Sequence, residues 1–208
     1  MTKPEAYIFD LDCTLVRTQS EFHAVAEVEV LKKYGISLTA DSISERFSGV
    51  HTLEVFKELA PSHDPHKLLK NKWEIMYSMA AQKPIELLSF AEELVRELRN
   101  QNIPLAIASA SPLEWIRTCL GKTGLESLFN GLASADEVAH GKPEPDVFLL
   151  AAKRLNVQPE NCIAIDDGRA GAIAGVRANM KTFWLTQNSD IISGAIKISS
   201  LKELISNK

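Results

Sequence analysis

Short, nearly continuous apolar runs bounded by turn residues recur along the chain. They lie at AYIFDL (6–11), IPLAIAS (103–109), NGLASA (130–135), NCIAIDD (161–167) and KTFWLT (181–186), with AIKIS (195–199) as a weaker sixth. Hydrophobicity that runs on rather than alternating fits strands covered on both faces. Helical patterns fall between them. SFAEELVRELRN (89–100) opens with a Ser89–Glu92 capping box and repeats apolar residues at Phe90, Leu94 and Leu98. EPDVFLLAAKRLN (144–156) follows a proline, and GRAGAIAGVRANM (168–180) is rich in small residues suited to close packing on a sheet. The alternation predicts an α/β protein: a Rossmann-like, mostly parallel sheet with helices on both faces and right-handed crossovers.

One interval breaks the alternation. From Gln19 to Lys83 every pattern is helical: EFHAVAEVEVLKKYG, ending at Gly35 as a C-cap, then DSISERFSG, TLEVFKELA and HKLLKNKWEIMYSMAAQ, separated by Gly49, Pro61 and Pro65. An all-α cap domain inserted after the first strand is therefore expected, with 18–83 as cap and 1–17 and 84–208 as the α/β core. Ligands of open α/β sheets bind outside the carboxyl ends of the strands, so an insertion there is placed to act as a lid.

Composition narrows the class without changing it. The 208 residues are 45% hydrophobic and 24% charged, with a net charge of −4 and a pI near 5.8. Scattered Lys and Arg give no electrostatic reason to expect nucleic acid or a membrane surface as partner. No apolar run reaches the roughly 18–20 residues that span a bilayer, and Met1–Ala6 leads straight into a strand, unlike a signal peptide. Cys13, Cys119 and Cys162 form an odd, widely spaced set, which points away from disulfides and toward a reducing cytoplasm.

The chemistry collects at strand ends. Asp10 and Asp12 close the first strand two residues apart, so both carboxylates face one side, where a hard divalent ion would compensate them. Asp166 and Asp167 end another strand in the same way. Ser109 and Ser111 end a third, just before a helix started by Pro112, where a hydroxyl and unbonded amides make a phosphate cradle. Lys142, in the stiff loop HGKPEPD, adds a point charge for phosphate. Each feature alone is commonplace; together they are hard to explain as structure only.

These segments, DLDCT, SAS, KPEPD and DDGRAG, resemble in order and spacing the haloacid dehalogenase superfamily, in particular its β-phosphoglucomutase-like branch. The resemblance covers essentially the whole chain. It implies Asp10 as the nucleophile that forms an aspartyl-phosphate, and Asp12 as general acid then base, with its backbone carbonyl joining the metal shell. It implies Ser109, the amide of Ala110, Lys142 and Thr14 around the phosphoryl group. It further implies Mg²⁺ held with Asp166 and Asp167. An acid at Asp12 fits phosphoryl transfer to water rather than halide displacement, so a small phosphorylated metabolite is the expected partner and a monomer or weak dimer the expected state.

Two alternatives stay open. A sugar phosphomutase of that branch needs a cap histidine and a cap arginine, whose positions fall at Phe22 and Thr52; His23 and His51 lie one residue away. A catalytically silent binding protein would carry the same motifs. Phe22, His23, His51, Trp73 and Tyr77 are the cap candidates for substrate choice, although Trp73, Met76 and Tyr77 are also spaced to pack the cap's own core. Lys32, Lys33, Lys70 and Lys72 read as solvated. Cys13 stands where the family commonly has glycine, and Arg17 begins the hinge. Arg17 follows Cys13 by only four residues, which rules out a Cys-x5-Arg phosphatase loop.

Overall fold

The computed structural model describes residues 4–47 and 51–205; Gly49, read as a helix separator, lies outside them. All six predicted strands form: β1 (Ala6–Phe9), β2 (Leu105–Ser109), β3 (Gly131–Ser134), β4 (Cys162–Asp166), β5 (Lys181–Leu185) and β6 (Ala195–Ile198). They make one parallel sheet in the order β3-β2-β1-β4-β5-β6. The chain divides into two compact units, Met1–Val16 with Glu86–Lys208, and Arg17–Ile85.

In the first unit, α5 (Ala91–Asn100), α6 (Leu113–Thr123), α7 (Asp146–Leu155) and α8 (Arg169–Arg177) connect the strands. Ala6 and Ile8 of β1, Ala106 and Ala108 of β2 and Ala164 of β4 pack with Phe148 and Ala151 of α7 and Ala174 of α8. Strand alternation turns Tyr7 and Phe9 to the other face, where Phe9 meets Phe129 edge to face. Small residues set the spacing beneath α8. A Cβ added to Gly175 would stand 2.9 Å from that of Ala164 and 2.7 Å from the Thr182 hydroxyl. The small-residue run thus lets this helix lie directly on β4 and β5.

Helix α5 does not start as its sequence suggests. Phe90 takes the N-cap place in the left-handed region (φ 67°), without a side-chain cap, and the Ser89–Glu92 capping box is not made. Glu92 instead pairs with Arg96 one turn on. Leu94 and Leu98 are buried as the periodicity requires, whereas Phe90 is exposed.

Among the described residues the second unit is built from helices: a π turn (Gln19–His23), α1 (Ala24–Lys32), α2 (Ala40–Phe47), α3 (Thr52–Leu59) and α4 (Pro65–Gln82). Gly35 (φ 77°) reverses the chain after α1, the Ile36 amide reaching back to the Leu31 carbonyl. Asp64 caps α4 through the His66 amide, with Pro65 at its first position. Val30, Leu31, Ile43, Val55, Phe56 and Leu68 form the core. No helix among the described residues is long and apolar enough to cross a membrane.

Helix propensity alone favours Gly175→Ala by about 1 kcal/mol. The contacts beneath Gly175 reverse that sign: overpacking against the sheet should make Gly175→Ala destabilising by roughly 1–3 kcal/mol, measured by urea unfolding.

Candidate active site

The strand order places the ends of β2, β1 and β4 side by side. The Asp10 amide extends the β1–β4 ladder by donating to the Ile165 carbonyl at 2.8 Å, so Asp10 stands level with Asp166. Carboxylate oxygens of Asp10, Asp166 and Asp167 all lie within 4.8 Å of one another. Lys142 arrives from the loop before α7 and is almost fully buried. Its Nζ donates to Asp10 Oδ1 at 2.6 Å and to Asp166 Oδ2 at 2.7 Å. It also lies 5.1 Å from the ring centre of Phe148, which supports it from α7.

Each acid has a local reason for its position. Asp166 Oδ1 accepts the Gly168 amide at 2.8 Å, and its carboxylate occupies the space where a side chain at Gly171 would begin: a Cβ there would fall 1.8 Å from Oδ2. Asp167 accepts from the Thr14 hydroxyl at 3.0 Å and returns its own amide to the same oxygen. Its carbonyl receives the Trp184 indole. Thr14 therefore ties the loop after β1 to the loop after β4. Gly171 and Trp184 carried no chemical signal in the sequence; only the small-residue run around Gly171 hinted at a close approach.

Charge is unbalanced. Three carboxylates face one lysine, a formal −2 when all are ionised. Burial pushes the Asp10 carboxyl well above the ordinary carboxylate range; Lys142 opposes this, and the neighbouring acids add to it. Burial, then the Asp166 charge, raises Asp167 from 3.8 to about 7. The two flanking acids outweigh burial at Lys142 and hold it protonated. Hard oxygen donors, short of positive charge and gathered at one point, suit a divalent cation of the Mg²⁺ type.

Asp12 turns elsewhere. Its Oδ2 accepts from the Ser111 hydroxyl at 2.6 Å and its Oδ1 from the Trp115 indole at 3.0 Å, so its carboxylate stands outside the group of three. The Ser109 hydroxyl, buried at the end of β2, accepts the Ser111 amide, and Ala110 is exposed beside it. Cys13 occupies the left-handed region (φ 64°), within a turn closed by its amide on the Val16 carbonyl. Glycine takes that conformation without the roughly 1–2 kcal/mol that a Cβ adds.

The helical unit carries a buried polar chain of its own. Lys72 is buried rather than solvated; Lys32, Lys33 and Lys70 are exposed. Lys72 Nζ lies 2.8 Å from His23 Nδ1 and donates to the Thr52 hydroxyl at 3.1 Å, which donates to buried Glu27 at 2.7 Å. The π turn accounts for His23. Its amide bonds five residues back to the Thr18 carbonyl, adding one residue to the turn and bringing His23, not Phe22, to Lys72. Phe22 is fully buried under the Lys83 ammonium. His51 caps α3 by accepting the Leu53 amide, and Trp73 packs against both His23 and Tyr77.

Residues 7–185 match the family described as haloacid dehalogenase-like hydrolase. The chain is 30% identical to the 6-phosphogluconate phosphatase of Escherichia coli K12, over 88% of this chain and 83% of the relative. It is 31% identical to the fructose-1-phosphate phosphatase YqaB of the same organism, over 83% and 92%. The β-phosphoglucomutase of Clostridium difficile superposes with a TM-score of 0.82 at 27% identity, covering 97% of this chain and 93% of that one.

Three outcomes are expected. The folded chain keeps a proton on Asp167 up to about pH 7, whereas the unfolded chain releases it near 3.8, so stability falls as pH rises through that window. Melting curves in chelator should therefore decline from about pH 4 to about pH 7, and Asp167→Asn should flatten the decline. A divalent cation should raise the melting temperature more at the higher pH, where protons compete least; a shift independent of pH would argue against these acids as its site. At Cys13, replacement by glycine should be neutral or stabilising by up to about 1 kcal/mol, and by valine destabilising by at least that much, in chemical denaturation.

Proposed function

The chain belongs to the haloacid dehalogenase-like hydrolases, in the β-phosphoglucomutase-like branch, and from that membership we propose that it hydrolyses small phosphomonoesters such as sugar phosphates. As a class it is a phosphoric monoester hydrolase. The observation that carries the mechanism is Lys142, buried and bonded to both Asp10 and Asp166 at the adjoining ends of β1 and β4. A nucleophilic carboxylate must be ionised and must meet a phosphate dianion, and a fixed ammonium beside it lowers the cost of both.

The proposed sequence is two transfers. A carboxylate oxygen of Asp10 attacks phosphorus, the ester P–O bond breaks, and the leaving oxygen takes a proton from Asp12. Water then attacks the phosphorus of the aspartyl-phosphate and passes a proton to Asp12. The P–O bond to Asp10 breaks and inorganic phosphate leaves. Asp10, Asp166 and Asp167, with the Asp12 carbonyl, would hold Mg²⁺, which supplies charge neutralisation on the phosphoryl oxygens. Ser109, the Ala110 amide and Thr14 are assigned to the phosphoryl group and its loop.

One observation favours a second reading, a sugar phosphomutase. The π turn brings His23 to Lys72, which supports reading His23 as the cap histidine of a mutase. Against it, the expected arginine position is Thr52, whose hydroxyl is already committed between Lys72 and Glu27.

With Mg²⁺ present, purified protein should release inorganic phosphate from a panel of sugar phosphates, and Asp10→Asn should lower kcat by at least about 10³-fold. Cys13→Ala should stay within about tenfold of the parent, that is within ~1.4 kcal/mol of transition-state stabilisation. Conversion of a sugar 1-phosphate to its 6-phosphate faster than its hydrolysis would replace the phosphatase reading by the mutase. No turnover of any ester by folded protein would leave the silent binding protein.

A further inference from the structure

The Asp12 carboxylate is gripped at both oxygens by two donors that enter from one place. Ser111 precedes α6 and Trp115 lies in its first turn, and both are buried. Ser111 is itself fixed along its backbone: its amide donates to Ser109 Oγ at 3.0 Å and its carbonyl accepts from Ser134 Oγ at 2.8 Å. Trp115 is fully enclosed in the wall of the core unit. Cys119, the next residue on the same face of α6, has its thiol pushed up by burial and then by the Asp12 charge, which places that charge against this helix.

We infer that Trp115 is a positioning residue for the acid–base step: its indole N–H sets the orientation of the Asp12 carboxyl. The inference rests on the phosphatase reading of Asp12 and goes beyond it by naming what aims the acid. An aspartate side chain turns about two bonds, and proton transfer requires one oxygen to stand about 2.6–3.2 Å from the departing oxygen. Two donors on opposite oxygens, both from rigid elements, fix the plane of the carboxyl. They are not equivalent. An indole N–H only donates, so a protonated Asp12 that keeps this bond carries its proton on Oδ2. The Ser111 hydroxyl at Oδ2 can turn its hydrogen away when Asp12 is protonated, so that the Oδ2 proton points to the leaving oxygen. When the ester oxygen departs, the Oδ2–H bond breaks and the proton goes to the leaving oxygen. Ser111 then donates to Oδ2 as the structure shows.

The test is Trp115→Phe, which removes the N–H and keeps a buried aromatic ring, assayed on two esters. A sugar phosphate expels a poor leaving group that needs the acid; p-nitrophenyl phosphate expels a stable phenolate that needs it far less. Since kcat/KM covers only the steps through the first phosphoryl transfer, it isolates the acid's role from later attack by water. The expected result is a fall of about tenfold in kcat/KM for the sugar phosphate and no more than about threefold for the aryl ester, the excess being the share of acid catalysis lost by misaiming. Ser111→Ala should shift the same ratio, and Ser111→Thr, which restores a hydroxyl, should recover it. Equal losses on both esters in a variant that melts like the parent would reduce Trp115 to packing, and no loss on either would overturn the inference. In both cases the parent still hydrolyses the esters, so the phosphatase reading survives; it fails separately, if the parent hydrolyses neither.

Discussion

Everything in the core unit is arranged around one ammonium group. Buried carboxylates repel one another and lose hydration, and the structure places three of them within one another's reach. Lys142 makes this tolerable by bonding two at once, across the gap between strands β1 and β4. The pair is not valuable as a salt bridge in general, since burying such charges commonly costs about as much as their attraction returns. Its worth lies in fixing which side chains are charged and where they stand. The sheet order serves this end, because only neighbouring strands with their carboxyl ends together can present two acids to one lysine.

The same logic extends outward by one layer. Asp166 can reach Lys142 because Gly171 leaves room for its carboxylate at the start of α8. Asp167 is held by Thr14, so the loop bearing Asp10 and Asp12 is tied to the loop bearing Asp166 and Asp167. Asp12 is drawn aside to Ser111 and Trp115 on α6. Two aspartates two residues apart at a strand end thus come to different surroundings. Asp10 joins the charged group, and Asp12 is held by donors that stabilise it without joining the cluster.

Much of this was legible in the sequence because its signals are local. An apolar run that ends in acids, a hydroxyl before a Pro-led helix and a lysine in a stiff loop each announce a strand end and its chemistry within a few residues. What was not legible depends on distance or on backbone choice. The Trp115–Asp12 bond spans 103 positions, and nothing near Trp115 marks its indole as a donor to an acid. Phe90 adopts a left-handed φ, a conformation that its residue type disfavours, so a capping box that looked complete at Ser89 and Glu92 was displaced by the chain's entry into α5. The π turn leaves no compositional trace, yet it brings His23, rather than Phe22, to Lys72. Lys72 looked solvated because lysine usually is; its burial follows from a hydroxyl and an acid on two other helices that no local pattern connects to it.

The helical unit meets the problem of a buried cation differently from the core. In the core, one lysine faces three acids, leaving room for further positive charge. In the helical unit, Lys72 faces Glu27 through Thr52, with His23 as a further partner, so the cation is answered within the unit. The chain from His23 to Glu27 thus answers its cation inside the helical unit, whereas the acids around Lys142 keep a net negative charge that a further cation would answer.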